Sequence, residues 1–421
     1  MSASSVPDPR DSVGATSWLS TWTAPAQPVW GAELPFPTQL PALIGPCTVR
    51  QPMRISKGGK AVRLLFSNEY GYAPLRLGCC RLALREQGQA RVWSDVTFAG
   101  RPQATLAPGQ RLRSDPLMMD IPDLADLEVA LHLPEAFEIG TFHWDARQTG
   151  SLEPGDRMGN DSALPDAQPL NVRVLVHAIE VQAEGAVLVA IGDSLVNGHG
   201  LEKNTHGCWA DLLARHLAPW GIALVNAGQS GGRLLCDKIG ISVLNRFERD
   251  VLQQPGIALA ILQVGLNDLG WADSVVDPGA PLPSYEALTA GYASLVEAAH
   301  ERGVQVLGMT LTPFEGAFAG TPFMAFYQPA KECLRQRLNR WIREAGCFDA
   351  VLDIDALLRD PQEPQRLSAL HDSGDHLHPG PEGSQAIVQW LLEQPILAGL
   401  MARQTSQHGE FERADARPTY E

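Results

Sequence analysis

Two textures of hydrophobic and polar positions divide the chain. From Trp18 to about Val181, short runs of β-branched, aromatic and aliphatic residues recur at near-regular spacing. They include 47–56 (CTVRQPMRIS), 61–67 (AVRLLFS), 75–84 (LRLGCCRLAL), 90–98 (ARVWSDVTF) and 127–133 (LEVALHL). Turn signals such as Lys57–Gly58–Gly59 and Pro108–Gly109 lie between them. Short strands punctuated in this way predict an all-β sandwich of jelly-roll type, and no 3.6-residue period competes with it.

The texture changes near residue 184. Residues 186–191 (AVLVAI) form a continuous apolar run, as a strand covered on both faces requires. Further strands are predicted over 222–226, 257–264, 304–311 and 350–354, and helices over 208–217, 285–302, 329–345 and 381–393. The 285–302 helix carries an apolar stripe through Leu288, Tyr292, Leu295 and Ala299; Leu334, Leu338, Trp341 and Ile342 do the same for 329–345. Pro381 suits a first helical turn, and Pro395 should stop the last helix. Alternation of strands and helices predicts a five-stranded parallel sheet with helices on both faces. The expected organisation is a disordered lead-in over 1–16, a β-sandwich accessory domain over 17–184, an α/β domain over 185–400 and a loose polar tail over 401–421.

Composition narrows the class. At 44% hydrophobic and 19% charged, the 421 residues are too apolar and too weakly charged for a disordered chain. The 39 glycines and 32 prolines exceed ordinary usage and imply many turns. A net charge of −15 argues against nucleic acid and anionic membrane surfaces as partners. Seven scattered cysteines, with no C-x-x-C pair, give no zinc ribbon or disulfide framework and read as buried or otherwise inert thiols. No run approaches the length of a membrane span, and Asp8, Arg10 and Asp11 interrupt any signal-like start, so the sequence as it stands is expected to be cytoplasmic.

Chemistry gathers at the expected carboxyl ends of the parallel strands, where open α/β sheets bind ligands. Gly192–Asp193–Ser194–Leu195 follows the first strand and puts Ser194 where a nucleophile belongs; an ordinary Ser N-cap would look the same. Asp375 and His378 are three residues apart before the last helix and can supply a base and its orienting carboxylate. The stretch from His371 to His378 also has metal-ligand residue types, without a partner motif to complete a zinc site. Donors for an oxyanion are available from the N–H of Ser194, the N–H of Gly228 in the turn 226–232 (NAGQSGG), and the amide of Asn267 in Gly265–Leu266–Asn267–Asp268. The glycine spacing fits neither a P-loop nor a dinucleotide fingerprint, which weakens a nucleotide-binding, flavodoxin-like alternative.

Ser194, Gly228, Asn267 and His378, in that order and each after its strand, resemble the four signature residues of the SGNH (GDSL-type) hydrolases. The resemblance covers about residues 185–400. It implies an α/β/α three-layer, flavodoxin-like fold, no metal or cofactor, and ester hydrolysis with Ser194 as nucleophile, His378 as general base then acid, and Asp375 as orienting carboxylate. The wording of 226–235 (NAGQSGGRLL), 310–314 (TLTPF) and 372–379 (DSGDHLHP), with the β-rich front half, is similar to the xylan-associated acetylesterase branch, a resemblance that leaves secretion as the alternative to a cytoplasmic location. The expected substrate is a small-molecule or carbohydrate ester, most plausibly O-acetyl. An acyltransferase sharing the same acyl-enzyme is the rival within enzymes. A carbohydrate-binding protein with an inactive α/β half is the rival outside them. In the front half, Trp18, Trp22, Trp30, Trp93 and Trp144 are expected to pack in the core or the domain interface more than to stack on sugar. The Met118–Met119 pair is expected in the core, and the segment 143–147 (HWDAR) as a wall over the site.

Overall fold

The computed structural model describes residues 17–85 and 91–415, with side chains through Ser406. The expected lead-in over 1–16 and the start of the 90–98 run lie outside the described residues.

The front half is built from two antiparallel sheets. One has the order Ser17–Thr23, Val176–Ala183, Gly59–Ser67, Leu117–Ile121, with Arg111–Arg113 also on Gly59–Ser67. The other has six strands centred on Cys47–Arg54 and Asp126–Leu133, which pair along their full length. Alternation sends Leu127, Val129, Leu131 and Leu133 into a fully buried core with Val49 and Met53. The 75–84 run splits into Leu75–Leu77 and Cys80–Leu84, because Gly78 and Cys79 lie outside both strands. A small third sheet, Arg173–Val174, Thr141–His143 and Gln27–Pro28, faces the second half.

The second half has a five-stranded parallel sheet in the order Ile222–Gly228, Ala186–Gly192, Ile257–Gln263, Gln305–Met309, Ala350–Leu352. Helices Trp209–Leu217, Tyr285–Glu301, Pro329–Glu344 and Pro381–Leu392 cover it. The strand Ala186–Gly192 is wholly buried, as its unbroken apolar run foretold. Three short helical pieces have no strong sequence period: Val243–Phe247, continued by a wide turn through Leu252, and Leu266–Gly270 and Ile354–Leu358.

One expectation fails at the carboxyl end. Pro395 does end the preceding helix, but it also opens a new one, Pro395–Asp415, where a loose tail was expected. Proline is favoured in a first turn, and Leu397 and Leu400 are buried against the α/β core.

The halves share one continuous hydrophobic core that runs from Leu19, Ile179 and Val181 to Val187, Val189, Phe247 and Val251. Polar bonds stitch the same seam. Ser20 N–H donates to Pro255 O (3.0 Å), and Ser56 Oγ accepts from Leu224 N–H (3.0 Å) on the end strand of the parallel sheet. Arg249 reaches from the second half to Ala26 O and the Tyr70 hydroxyl, both at 3.0 Å.

Aromatic residues of the front half are used in packing. Trp30 meets Phe142 and Trp144 edge-on at 5.1 and 5.3 Å, and Phe36 joins Trp144 to Trp271 and Phe323 of the second half. Trp18 and Trp93 lie beneath Arg63 and Arg50. Met118 departs from expectation: it is 74% exposed, because the strand Leu117–Ile121 turns that side to solvent. All seven cysteines are free; Cys236 and Cys333 are exposed rather than buried.

Candidate active site

The strand Ala186–Gly192 delivers Ser194 through a tight turn. A side chain at Gly192 would run into Gln263 O, so the strand end can approach its neighbour only with glycine there. The turn Ser194–Asn197 is capped by Asp193, whose Oδ1 accepts from Leu195 N–H at 3.0 Å. The capping role that Ser194 could have filled therefore falls to its neighbour, and Ser194 Oγ is left for other work.

That oxygen lies 2.8 Å from His378 Nε2. His378 Nδ1 lies 2.6 Å from Asp375 Oδ2, while Asp375 Oδ1 accepts the N–H groups of Leu377 and His378. A carboxylate only accepts, so Nδ1 carries the proton and Nε2 is free to accept from the serine hydroxyl. Ser194 and His378 are 8% and 4% exposed. Burial pushes the His378 pKa below its usual 6.5, against the opposing bond and charge of Asp375. Burial would raise Asp375, but the bond and charge of His378 and the two backbone donors outweigh it and hold it well below the usual carboxylate range.

The three expected oxyanion donors are placed differently from one another. Among the described residues, Ser194 N–H has no partner, as the first N–H of a helical turn should not. Asn267 Nδ2 donates one hydrogen to Gly232 O at 3.0 Å, which leaves its second. Gly228 N–H is already donated to Asn226 Oδ1 at 2.9 Å. Gly228 serves packing: a Cβ there would sit 2.3 Å from Asn197 N. Among the described residues, Ser230 N–H and Gly231 N–H of this loop have no partner. Gly231 occupies the left-handed corner (φ 77°) of a turn closed by Gly232 N–H on Gln229 O at 2.8 Å. The run of two glycines after Gln229–Ser230 was the sequence signal for it.

Buried charges support these loops. Arg246, fully buried, donates to Ala227 O and Gly192 O, the ends of two strands, and pairs with Asp250. Asp268 accepts from Leu234 N–H and Leu235 N–H, yet burial still lifts its pKa to about 6. Burial lifts Asp193 to about 7, and its Oδ2 has no partner among the described residues.

The front half reaches this site. Asp145, beyond the strand Thr141–His143, bonds to three groups of the second half: His199 Nδ1 (2.7 Å), Ser230 Oγ (2.9 Å) and, through its carbonyl, Asn197 Nδ2 (2.9 Å). His143 Nε2 lies 3.3 Å from Asn197 Oδ1. The segment 143–147 is thus one wall of the site. Asp145 and His199 were not among the expected site residues. No local motif links two residues 54 apart in different halves.

The candidate metal stretch resolves into two pairs. His376 Nδ1 is bound to Asp372 and His378 Nδ1 to Asp375, each at 2.6 Å. Among the described residues, no group of three or more His, Cys, Asp or Glu side chains is arranged to hold a metal ion.

Fold and site together define an α/β/α unit that aligns a serine, a histidine and an aspartate behind a strand-rich front half. The sequence profile of the GDSL-like lipase/acylhydrolase family matches residues 190–386, a little under half of the chain. Among solved structures, a GDSL-like lipase from Bacteroides thetaiotaomicron is 17% identical with a TM-score of 0.36, over 49% of this chain and 86% of that one. An acetylxylan esterase from Geobacillus stearothermophilus is 19% identical with a TM-score of 0.35, over 49% of this chain and 94% of that one. No curated protein matches the chain.

Proposed function

We propose that the chain is a serine esterase that hydrolyses small acyl esters, O-acetyl groups on a carbohydrate or polyol foremost, through an acyl-enzyme on Ser194. The observation that carries this is the continuous hydrogen-bonded line from Ser194 Oγ through His378 to Asp375. Ser194 Oγ attacks the ester carbonyl as His378 Nε2 takes its proton. Ser194 N–H, Gly231 N–H and Asn267 Nδ2 are free to donate to the resulting oxyanion. His378 then returns the proton to the departing alcohol, and water, deprotonated by the same nitrogen, releases the acid. Asp375 holds the imidazole in the required tautomer and offsets its charge. The family match over 190–386 supports the hydrolase class. The similarity of 226–235 and 372–379 to the xylan-associated acetylesterases supports the carbohydrate acetate.

Ser194→Ala is expected to lower hydrolysis of p-nitrophenyl acetate by about a thousandfold or more with an unchanged circular dichroism spectrum. Wild-type rates in that variant would remove Ser194 from the chemistry.

A further inference from the structure

Beside the Ser194–His378–Asp375 line lies a second histidine–carboxylate pair. His199 follows the turn that carries Ser194, and its own N–H donates to Ser194 O at 3.0 Å. Its ring centre is 4.7 Å from that of His378. Asp145 fixes the ring at Nδ1. Because Asp145 can only accept, the proton of neutral His199 sits on Nδ1, and Nε2 presents a lone pair. That nitrogen has no partner among the described residues, and the side chain is 44% exposed, whereas His378 is closed in. Asp145 itself is held at φ 60°, a left-handed conformation that few residues other than glycine, asparagine and aspartate adopt readily. Its carboxylate is 8% exposed and also takes the Ser230 hydroxyl and Arg147. So much local structure around one carboxylate pins the His199 ring in a single orientation.

The position relative to His378 says what the free nitrogen would meet. His378 Nε2 must lie within reach of the departing ester oxygen to protonate it. A ring tilted at 54° beside His378 therefore flanks the alcohol portion of the ester. A lone-pair acceptor there complements a hydroxyl donor.

We propose that Asp145 and His199 form a subsite for the alcohol part of the substrate, in which His199 Nε2 accepts a hydrogen bond from a free hydroxyl next to the acylated oxygen. The ligand class is a partly acylated polyol or sugar that keeps a neighbouring hydroxyl. The subsite rests on Ser194 being the nucleophile, and half of it is supplied by the strand-rich front half. His199 binds here; it neither attacks nor protonates.

A matched pair of esters isolates this contact. Ethylene glycol monoacetate carries the neighbouring hydroxyl, and 2-methoxyethyl acetate carries the same group capped by methyl. Wild-type kcat/KM is expected to favour the free hydroxyl by about fivefold, the worth of one hydrogen bond of ordinary strength. His199→Phe keeps a ring against His378 without the nitrogen. It should bring the ratio to about one, with the loss falling on ethylene glycol monoacetate rather than on its methyl-capped partner. Asp145→Asn, which loosens the tautomer, should lower the ratio in the same direction. A wild-type ratio near one, no wild-type turnover of the glycol ester, or an equal loss on both esters in His199→Phe would overturn the subsite. The last result would make the ring a prop for His378. None of these bears on Ser194, whose own variant tests the reaction separately.

Discussion

His378 is governed by two opposed environments, and burial wins. Its pKa lies below 6.5, although Asp375 pulls it upward. Only the neutral ring can take the serine proton, so activity grows as pH rises through that pKa. The acid limb of kcat/KM should therefore have its midpoint below pH 6.5, read from a pH–rate profile with p-nitrophenyl acetate. A midpoint above 6.5 would mean that Asp375 dominates. Asp193 shows the reverse sign. Its folded pKa of about 7 exceeds the ordinary 3.8, so the folded state keeps a proton that the unfolded chain releases. Wild-type stability then falls as pH rises from about 4 to about 7. Asp193→Asn retains the acceptor for Leu195 N–H and cannot ionise. Its unfolding free energy relative to wild type should rise between pH 5 and pH 8 by on the order of a few kcal/mol, read from denaturant titrations at each pH. A difference that stays flat across that range would show that Asp193 is already solvated. Ser194, His378, Asp375 and Asn267 were legible as residues because each follows its strand or precedes its helix at a fixed offset. Gly231 was not, because Gly228 and Gly231 lie three residues apart in one glycine-rich loop and which N–H is already bonded shows only in the fold. Asp145 was not, because its partner is set by the packing of two halves.

At the scale of elements, periodicity sufficed where a strand or helix buries a regular face. The five parallel strands and four long helices are of this kind. It failed at Leu266–Gly270 and Ile354–Leu358, which are single turns too short to show a period, and at the final helix, whose polar face hid two buried leucines. The junction of elements depends on Arg246, which gathers the carbonyl ends of Ala186–Gly192 and Ile222–Gly228. Arg246→Met would take the arginine donor from Ala227 O and Gly192 O, the latter keeping Gln229 N–H, and one of the two arginine partners from Asp250, a loss of about 2–3 kcal/mol. It should lower the urea midpoint by a matching amount, and the loop that holds Gly231 should gain hydrogen-exchange rate with it. An unchanged midpoint would make this arginine dispensable.

Across the whole molecule, the seam between the halves is a core in its own right. Leu19 packs beside Val187 where Gly256 leaves room, and the polar bonds of Ser20, Ser56 and Arg249 close over it. The sequence marked a change of texture near 184, but it gave no sign that the two textures would merge, since contacts across a seam have no period. A continuous core implies joint unfolding. Calorimetry of the full chain should show one heat-absorption peak, and Arg249→Ala should move that peak without splitting it. Two resolved peaks would mean that the halves melt independently.

The carboxylate that Asp145 lends across this seam has a further consequence. A folded chain in which only the 143–147 wall is displaced from the site can still align Ser194 with His378, since both belong to the second half. It would lack the acceptor that His199, Ser230 and Asn197 share. Such a species would keep its appetite for simple esters and lose its discernment among alcohols. On the proposed subsite, fidelity of assembly and choice of substrate would be one property.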